Sequence, residues 1–339
     1  MHPVYTGKGI LEKLPGLLAG NTEVFILTDD NTQRYCLPLL EKYITGYQLI
    51  NIPPGEENKS LKSLSRIWDS LLEYHAGRDA VLINLGGGMI TDIGGMAAAT
   101  YKRGIRFIHV PTSLLAMVDA AVGGKTGINY GGIKNPVGTF SMPAATLIDP
   151  VFLDTLPFRE MLSGMAEILK YALIRDSELW NEMPEAGQIP RTVPLRWIER
   201  SVRIKKEIVS EDPGEAGLRK VLNFGHTAGH SLEVLYRMTH GEAVAAGMLV
   251  ALRLSEMLLG FPQTVAREIT HRIKLWYRQS LPESPGDIHP GRLWERMRND
   301  KKNTGGEVRF VLLEDVGAPV WNRRVTYEEF SQALRILFE

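Results

Sequence analysis

Residues 81–95 read VLINLGGGMITDIGG, and the fold class follows from them. An apolar run, 81–85, closes in Gly86, Gly87 and Gly88, and a helical spacing begins at Thr91 and extends to Tyr101. Short runs of Val, Ile and Leu closed by turn residues are the mark of strands buried in a parallel sheet. Two further runs have this form. EVFILT (23–28) closes in Asp29, Asp30 and Asn31, and IRFIHV (105–110) closes in Pro111, Thr112 and Ser113. Leu61 to Tyr74 reads as another helix between strands. Strand, loop, helix, strand is the order of an α/β sheet. Ligands of such sheets lie at the carboxyl ends of strands, where all three polar clusters fall.

Glycine marks the same region, because 12 of the 33 glycines lie in residues 86–138. Such density implies positive-φ turns or close approach of the backbone to a ligand. The glycine loop follows a strand and opens a helix, so its N–H groups and the helix dipole could hold a pyrophosphate. It is not the G-x-G-x-x-G fingerprint, and a tight turn without a ligand is the alternative.

Beyond about residue 150 the pattern changes. Segments 158–182, 194–210, 226–238, 242–259 and 264–279 read as helices, punctuated by Pro184, Pro190, Pro194 and Pro213. Only VRFVLL (308–313) reads as a strand. The expected division is an α/β domain over 1–150 with a parallel-type sheet and a mostly α-helical domain over 151–339, with the cleft between them as the natural site.

Composition narrows the function. The 339 residues are 44% apolar and 23% charged, which excludes a disordered, collagen-like or coiled-coil chain. The 39 basic and 39 acidic residues cancel, and they split 13 to 13 before residue 151 and 26 to 26 after it. Neither domain carries the basic excess of a nucleic-acid binder. A single cysteine, Cys36, excludes a disulfide framework and a Cys-based metal site. The longest apolar run, Ala243 to Leu252, is too short to span a bilayer. The opening MHPVYTGKGI lacks an apolar h-region. A soluble cytoplasmic protein is expected.

Several clusters carry chemistry. Pro53-Pro54-Gly55-Glu56 with Lys59 reads as an exposed turn. In DAAVGGKTGINYGGIKN (119–135), Asp119, Lys125, Lys134 and Asn135 sit among glycines, as in a loop for phosphate or carboxylate; a solvated loop is the alternative. NFGHTAGHSLEVLYRMTHGE (223–242) holds three of the eight histidines. His226 and His230 share a helix face and read as a metal pair with His240 or a remote carboxylate as third ligand. Ordinary partly buried histidines are the alternative. Glu167 and Lys170 are three apart on a helix, a spacing that also suits a surface ion pair.

Taken together, nine segments in order resemble one family, the 3-dehydroquinate synthases of the sugar-phosphate cyclases. They are PPGE with Lys59, GGGMITDIGGMAAATYKRG, VPTSLLAMVDAAVGGKTGIN, IKNPVG, FLDTLP, GMAEILK, GLRKVLNFGHTAGHSLE, HGEAVAAGM and DKKN, running from residue 53 to 303. The resemblance implies an NAD-binding α/β domain followed by a helical metal-binding domain. It also implies a lyase reaction of the shikimate pathway towards chorismate and the aromatic amino acids. In that reaction 3-deoxy-D-arabino-heptulosonate 7-phosphate becomes 3-dehydroquinate and phosphate. NAD oxidises a ring hydroxyl transiently, phosphate is eliminated, the ketone is reduced again, and an intramolecular aldol closes the carbocycle.

Carried over position by position, the resemblance puts a divalent metal, zinc or alternatively cobalt, on Glu167, His226 and His240. This differs from the bare pairing of His226 with His230, and gives His230 a hydrogen-bonding or proton-transfer role. A His₂Glu set with open positions suits a Lewis acid. The implied substrate pocket comprises Arg103, Asp119, Lys125, Asn135, Lys170, Lys205, Glu215, Arg219, Asn223 and Lys301. The implied NAD contacts are Asp29, Asn31, Glu56, Lys59, Gly86, Gly87, Gly88, Asp92, Thr112, Ser113, Lys125, Lys134 and Thr155. A substrate with a carboxylate and a phosphate calls for several cations in an otherwise neutral protein. The family is commonly homodimeric, and neither nucleic acid nor membrane is an expected partner. Ser113, Ile133 and Pro136 depart from the commonest family form beside the site. Alternatives are a sister cyclase acting on another sugar phosphate and a metal-dependent alcohol or glycerol dehydrogenase of the same fold.

Overall fold

A computed structural model describes residues 2–20, 23–184, 192–282, 284–299 and 307–339. The chain divides into two units, Met1–Met161 with Pro194–Lys206, and Leu162–Val193 with Glu207–Glu339. The first unit holds β1 (Val4–Thr6), β2 (Val24–Asp29), β3 (Gln48–Ile52), β4 (Val81–Gly86), β5 (Arg106–Pro111), β6 (Lys125–Tyr130), β7 (Ile133–Phe140) and β8 (Ala145–Ile148). Its helices are α1 (Leu14–Leu18), α2 (Asp30–Tyr35), α3 (Leu37–Leu40), α4 (Leu61–Glu73) and α5 (Gly88–Thr100).

Six strands form one parallel sheet in the order β1-β8-β5-β4-β2-β3. The three strands expected from sequence are β5, β4 and β2 at its centre, and all of β4 is buried. The flanking strands escape the sequence reading because they are short or only half buried; β1 has three residues and β3 carries a polar, partly exposed QLINI. From β2 the chain steps outward to β3, then returns past β2 to β4 and β5. The winding direction therefore reverses between β2 and β4, the place where such sheets open a ligand crevice. The glycine loop lies at the carboxyl end of β4. Ile90, Ile93 and Ala97 on α5 pack with Leu27 and Leu82 of the sheet, and all five are fully buried.

One row of polar side chains crosses that core. Asn84 on β4 is in register with His109 on β5, and His109 with Thr146 on β8. Asn84 Nδ2 lies 3.2 Å from His109 Nδ1, and His2 Nε2 lies 3.1 Å from Thr146 Oγ1. Strands β6 and β7 form a separate antiparallel hairpin. Its Asn129 N–H donates to Lys59 O (2.8 Å) and its Asn129 Nδ2 to Glu56 Oε1 (3.0 Å), which ties the hairpin to the PPGE turn.

The second unit holds α6 (Phe158–Arg175), α7 (Ser177–Glu182), α8 (Leu195–Glu211), α9 (His226–Tyr236), α10 (His240–Leu259), α11 (Gln263–Tyr277), α12 (Pro290–Arg298) and α13 (Tyr327–Leu334), with α6 and α8 beginning in the first. Set beside the expected boundary at 150, the first unit also takes in 151–161 and Pro194–Lys206. In the latter, Lys205 Nζ donates to Asp119 O and Oδ1, both at 2.7 Å. The expected helix 158–182 is two helices, because Asp176 leaves helical geometry to cap α7 through Leu179 N–H (3.1 Å). The expected lone strand 308–313 is β9 (Arg309–Asp315), one arm of an antiparallel hairpin with β10 (Ala318–Arg324). The apolar run Ala243 to Leu252 lies in α10, buried on every side. Among the described residues, no helix is long and apolar enough to cross a membrane.

Candidate active site

In the second unit, glycines let three helices touch. A Cβ on Gly247 of α10 would fall 2.8 Å from Gly229 N of α9. A Cβ on Gly241 would fall 2.5 Å from Ser163 O of α6. Gly241 N–H donates to Ser163 Oγ (3.0 Å), which locks the start of α10 against α6. Thr239 caps α10 in a capping box with Glu242, whose Oε2 accepts from Thr239 N (2.8 Å). Glu167 lies one turn after Ser163, His240 is the first residue of α10, and His226 opens α9. Helix spacing and glycine contact thereby bring one carboxylate and two imidazoles together.

Their donor atoms lie within 4.8 Å of one another. His240 Nε2 is 3.2 Å and His226 Nε2 3.4 Å from Glu167 Oε1. Ligands about 2.1 Å from a tetrahedral zinc stand roughly 3.4 Å apart, so the donor set fits a divalent metal. His230 is outside this set although its ring lies 5.3 Å from that of His226 and 6.4 Å from that of His240. The structure thus groups His226 with Glu167 and His240 rather than in the bare i, i+4 pair. His226 and His230 do share a face, but the acceptor that meets the imidazoles, Glu167, is presented to His226 and His240.

Glu167 is fully buried. Burial alone would raise its carboxyl, but Lys170, bonded to it, and the imidazoles hold it well below the ordinary range. Burial, with Lys170, pushes His226 down, so its imidazole is neutral at pH 7, as a metal ligand must be. His226 Nδ1 faces Phe224 O at 3.1 Å. Burial and the nearby Glu167 and Glu242 raise Tyr277 well above its usual range, and its hydroxyl donates to Leu162 O (2.8 Å).

A loop before α9 carries more of the expected pocket. Asp212 accepts from Gly217 N (2.7 Å), Ala216 N (3.0 Å) and Arg219 N (3.1 Å). Within this loop Glu215 adopts a left-handed φ of 60° and accepts from Asn223 Nδ2 (2.8 Å). Arg219, almost wholly buried, donates to Pro213 O (2.8 Å). Lys301 and the rest of DKKN lie outside the described residues.

The other expected residues belong to the first unit. At the carboxyl ends of β4 and β5, Thr112 N–H donates to Gly86 O (3.0 Å), and a Cβ on Gly87 would meet Ser113 Oγ at 3.3 Å. Gly88 lies against Ala120 in the single π-helical turn Ala116–Ala120, beside Asp119 and its Lys205 partner. Lys59 is ion-paired with Asp92 and stands 3.9 Å from Glu56. Asn129 joins this group to the hairpin bearing Lys125, Lys134 and Asn135, whose N–H donates to Asn129 Oδ1 (3.0 Å). Asp29 ends β2 and caps α2 through Thr32 N–H (2.8 Å), with Asn31 in the first turn. Thr155 closes the turn Pro150–Thr155 after β8. Arg103 stands apart. It follows α5 and precedes β5, at the amino-terminal end of the parallel strands, opposite the glycine loop, with a left-handed φ of 69°.

Sequence reasoning missed Ser163, Asp212 and Glu233. Glu233 alone had a direct signal, since it lies three residues beyond His230 and seven beyond His226, on the same face of α9.

The family models for the 3-dehydroquinate synthase N-terminal and C-terminal domains match residues 49–163 and 164–303. A curated 3-dehydroquinate synthase of Parabacteroides distasonis is 44% identical over 322 residues, covering 92% of this chain and 90% of the relative. Among solved structures, a 2-epi-5-epi-valiolone synthase from Streptomyces hygroscopicus with NAD+ and Zn2+ bound is 28% identical, with a TM-score of 0.87 over 99% of this chain and 96% of that one. A 2-deoxy-scyllo-inosose synthase complexed with carbaglucose-6-phosphate, NAD+ and Co2+ has a TM-score of 0.84 over 98% of this chain and 96% of that one; at 22% identity it shows the fold alone.

Proposed function

The chain belongs to the 3-dehydroquinate synthase family, and from this we propose that it converts 3-deoxy-D-arabino-heptulosonate 7-phosphate to 3-dehydroquinate and phosphate. The observation that carries the reading is the buried Glu167 meeting His226 and His240, with Lys170 on the same carboxylate. When bound, NAD supplies reversible oxidation of a ring hydroxyl, and a divalent metal on Glu167, His226 and His240 supplies its polarisation.

The chain's own residues do the rest. The turn Gly86-Gly87-Gly88 offers backbone N–H groups at a helix start to the dinucleotide phosphates. Asp29, Asn31, Glu56, Lys59, Asp92, Thr112, Ser113, Lys134 and Thr155 complete that contact. Lys125, Asn135, Lys170, Lys205, Arg219, Asn223 and Lys301 bind the carboxylate and phosphate of the substrate. Arg219 suits a bidentate grip and the lysines serve as point charges. Asp119 and Glu215 orient Lys205 and Asn223, to which they are bonded. His230, near both ligand imidazoles, is the group placed to move a proton.

A homodimer in the cytoplasm is part of the same proposal. Tyr130, Ile133, Val137 and Phe140 are exposed on the β6–β7 hairpin, apolar surface suited to a second copy. Arg103, held away from the glycine loop, would serve such a pocket from another copy. The one cysteine, Cys36, is buried and free, as a reducing compartment allows.

The test is stoichiometry. Purified protein with NAD, zinc and the heptulosonate phosphate should release phosphate and form 3-dehydroquinate with no net NADH. Accumulating NADH without phosphate would identify a dehydrogenase. Turnover of sedoheptulose 7-phosphate in place of the heptulosonate would identify a sister cyclase.

A further inference from the structure

We propose that Glu233 is a positioning residue for the metal centre: it fixes the ring plane and tautomer of His240, so that Nε2 is delivered to the ion. This rests on the assignment of Glu167, His226 and His240 as ligands.

The backbone of His240 has little freedom. The capping box of Thr239 and Glu242 holds the residue before it, and the contact of Gly241 with Ser163 holds the one after. What remains is rotation of the side chain. Its ring stands between two carboxylates, with Nε2 3.2 Å from Glu167 Oε1 and Nδ1 3.4 Å from Glu233 Oε2. Glu233 is itself mostly buried, its side chain only 13% exposed. On α9 it shares a face with His226 and His230, so the helix that supplies one ligand also supplies the partner of another.

A neutral imidazole carries one ring proton. When Nε2 binds an ion, that proton resides on Nδ1 and needs an acceptor. For His226 the acceptor is the Phe224 carbonyl (3.1 Å). For His240 it is Glu233, whose negative charge also makes the ring a stronger donor to the metal. Both ligands thus expose Nε2 by the same device, one through a carbonyl and one through a carboxylate.

The experiment measures zinc affinity of the full chain by competition with a chromophoric chelator, together with the visible spectrum of the cobalt-loaded protein. The variants are Glu233→Gln, Glu233→Leu and His240→Ala. Gln keeps an oxygen for Nδ1–H, so its affinity should fall only a few-fold. Leu removes the acceptor, and affinity should fall about 10- to 100-fold with a shifted cobalt spectrum. Circular dichroism and NAD affinity report folding. A Leu variant with wild-type affinity and spectrum overturns the proposal, as does a Gln variant as weak as Leu. If Leu does not fold, ring-15N NMR of the zinc-loaded protein decides. The His240 Nδ1–H signal should be present and should move in Glu233→Gln, and an unmoved signal overturns the proposal. Failure of the underlying assignment looks different: wild type binds no zinc, or His240→Ala binds it as tightly as wild type.

Discussion

Lowering the pH should destabilise the sheet unit through His109. This imidazole is 4% exposed, in register between Asn84 and Thr146, with its Nδ1 on Asn84 Nδ2 and its ring edge-on to Phe107. Burial, with the neighbouring His2, lowers its pKa from 6.5 to about 3. His2, the titratable group facing it, is likewise lowered to about 4 by burial and Lys206. A histidine held neutral by the fold contributes stability that is complete above pH 6.5 and is lost as pH falls from there towards 3. In that window the unfolded chain binds the proton and the folded one does not. At pH 5 the two states differ by about 1.5 units of titration, or roughly 2 kcal/mol at 1.36 kcal/mol per unit. Urea unfolding at pH 7.5 and pH 5, followed by circular dichroism, measures the loss for wild type and for His109→Gln. The variant should lose about 2 kcal/mol less than wild type between the two pH values. Equal losses would refute the claim that His109 is buried neutral.

His240→Ala, loaded with zinc and analysed by mass spectrometry, should retain almost no metal, whereas His230→Ala should keep about one ion per chain. Lys125→Ala should lower phosphate release roughly 10²- to 10³-fold, as expected for a lost charge-stabilising donor, while NAD still binds on titration. Asp212→Ala frees the N–H groups of Ala216, Gly217 and Arg219. The KM for the heptulosonate phosphate should then rise roughly tenfold, with zinc affinity intact; a change in kcat alone would place Asp212 elsewhere in the reaction.

What could be read from residues alone follows burial and distance along the chain. Strands β2, β4 and β5 were legible because both faces are largely covered, so most of their positions are apolar, with Asn84 and His109 as buried exceptions. Strand β10 was not, because it is half to fully exposed and its pattern resembles a loop. Helix α10 was legible over 242–259, but its start at His240 was not read, although Thr239-x-x-Glu242 is a capping-box spacing. The candidate metal donors divide in the same way. His226 and His230 advertise each other at four residues, yet the carboxylate that stands beside His226 is 59 positions away in Glu167, brought close by glycines that let backbones touch. Only the resemblance reached across that gap. Asp212 stayed hidden because it acts on backbone N–H groups, which leave no trace in side-chain spacing.

The charge arrangement in the helical unit then has a physical reading. Taking a carboxylate such as Glu167 wholly out of water costs several kcal/mol, and a single lysine repays this only in part. A fold selected for stability alone would place apolar side chains at 167 and 170, as it does at Ile168 and Leu169, both fully buried. The unit instead keeps an ion pair and two histidines at the meeting of α6, α9 and α10, and orders the second nitrogen of each ring towards an acceptor. Such an expense is recovered when a divalent cation joins the site, because the buried carboxylate then meets a charge of higher valence than Lys170 carries. Metal binding should therefore raise the stability of this unit, with the gain growing as RT ln(1 + [L]/Kd). A zinc titration that leaves its unfolding temperature unmoved would contradict that reading.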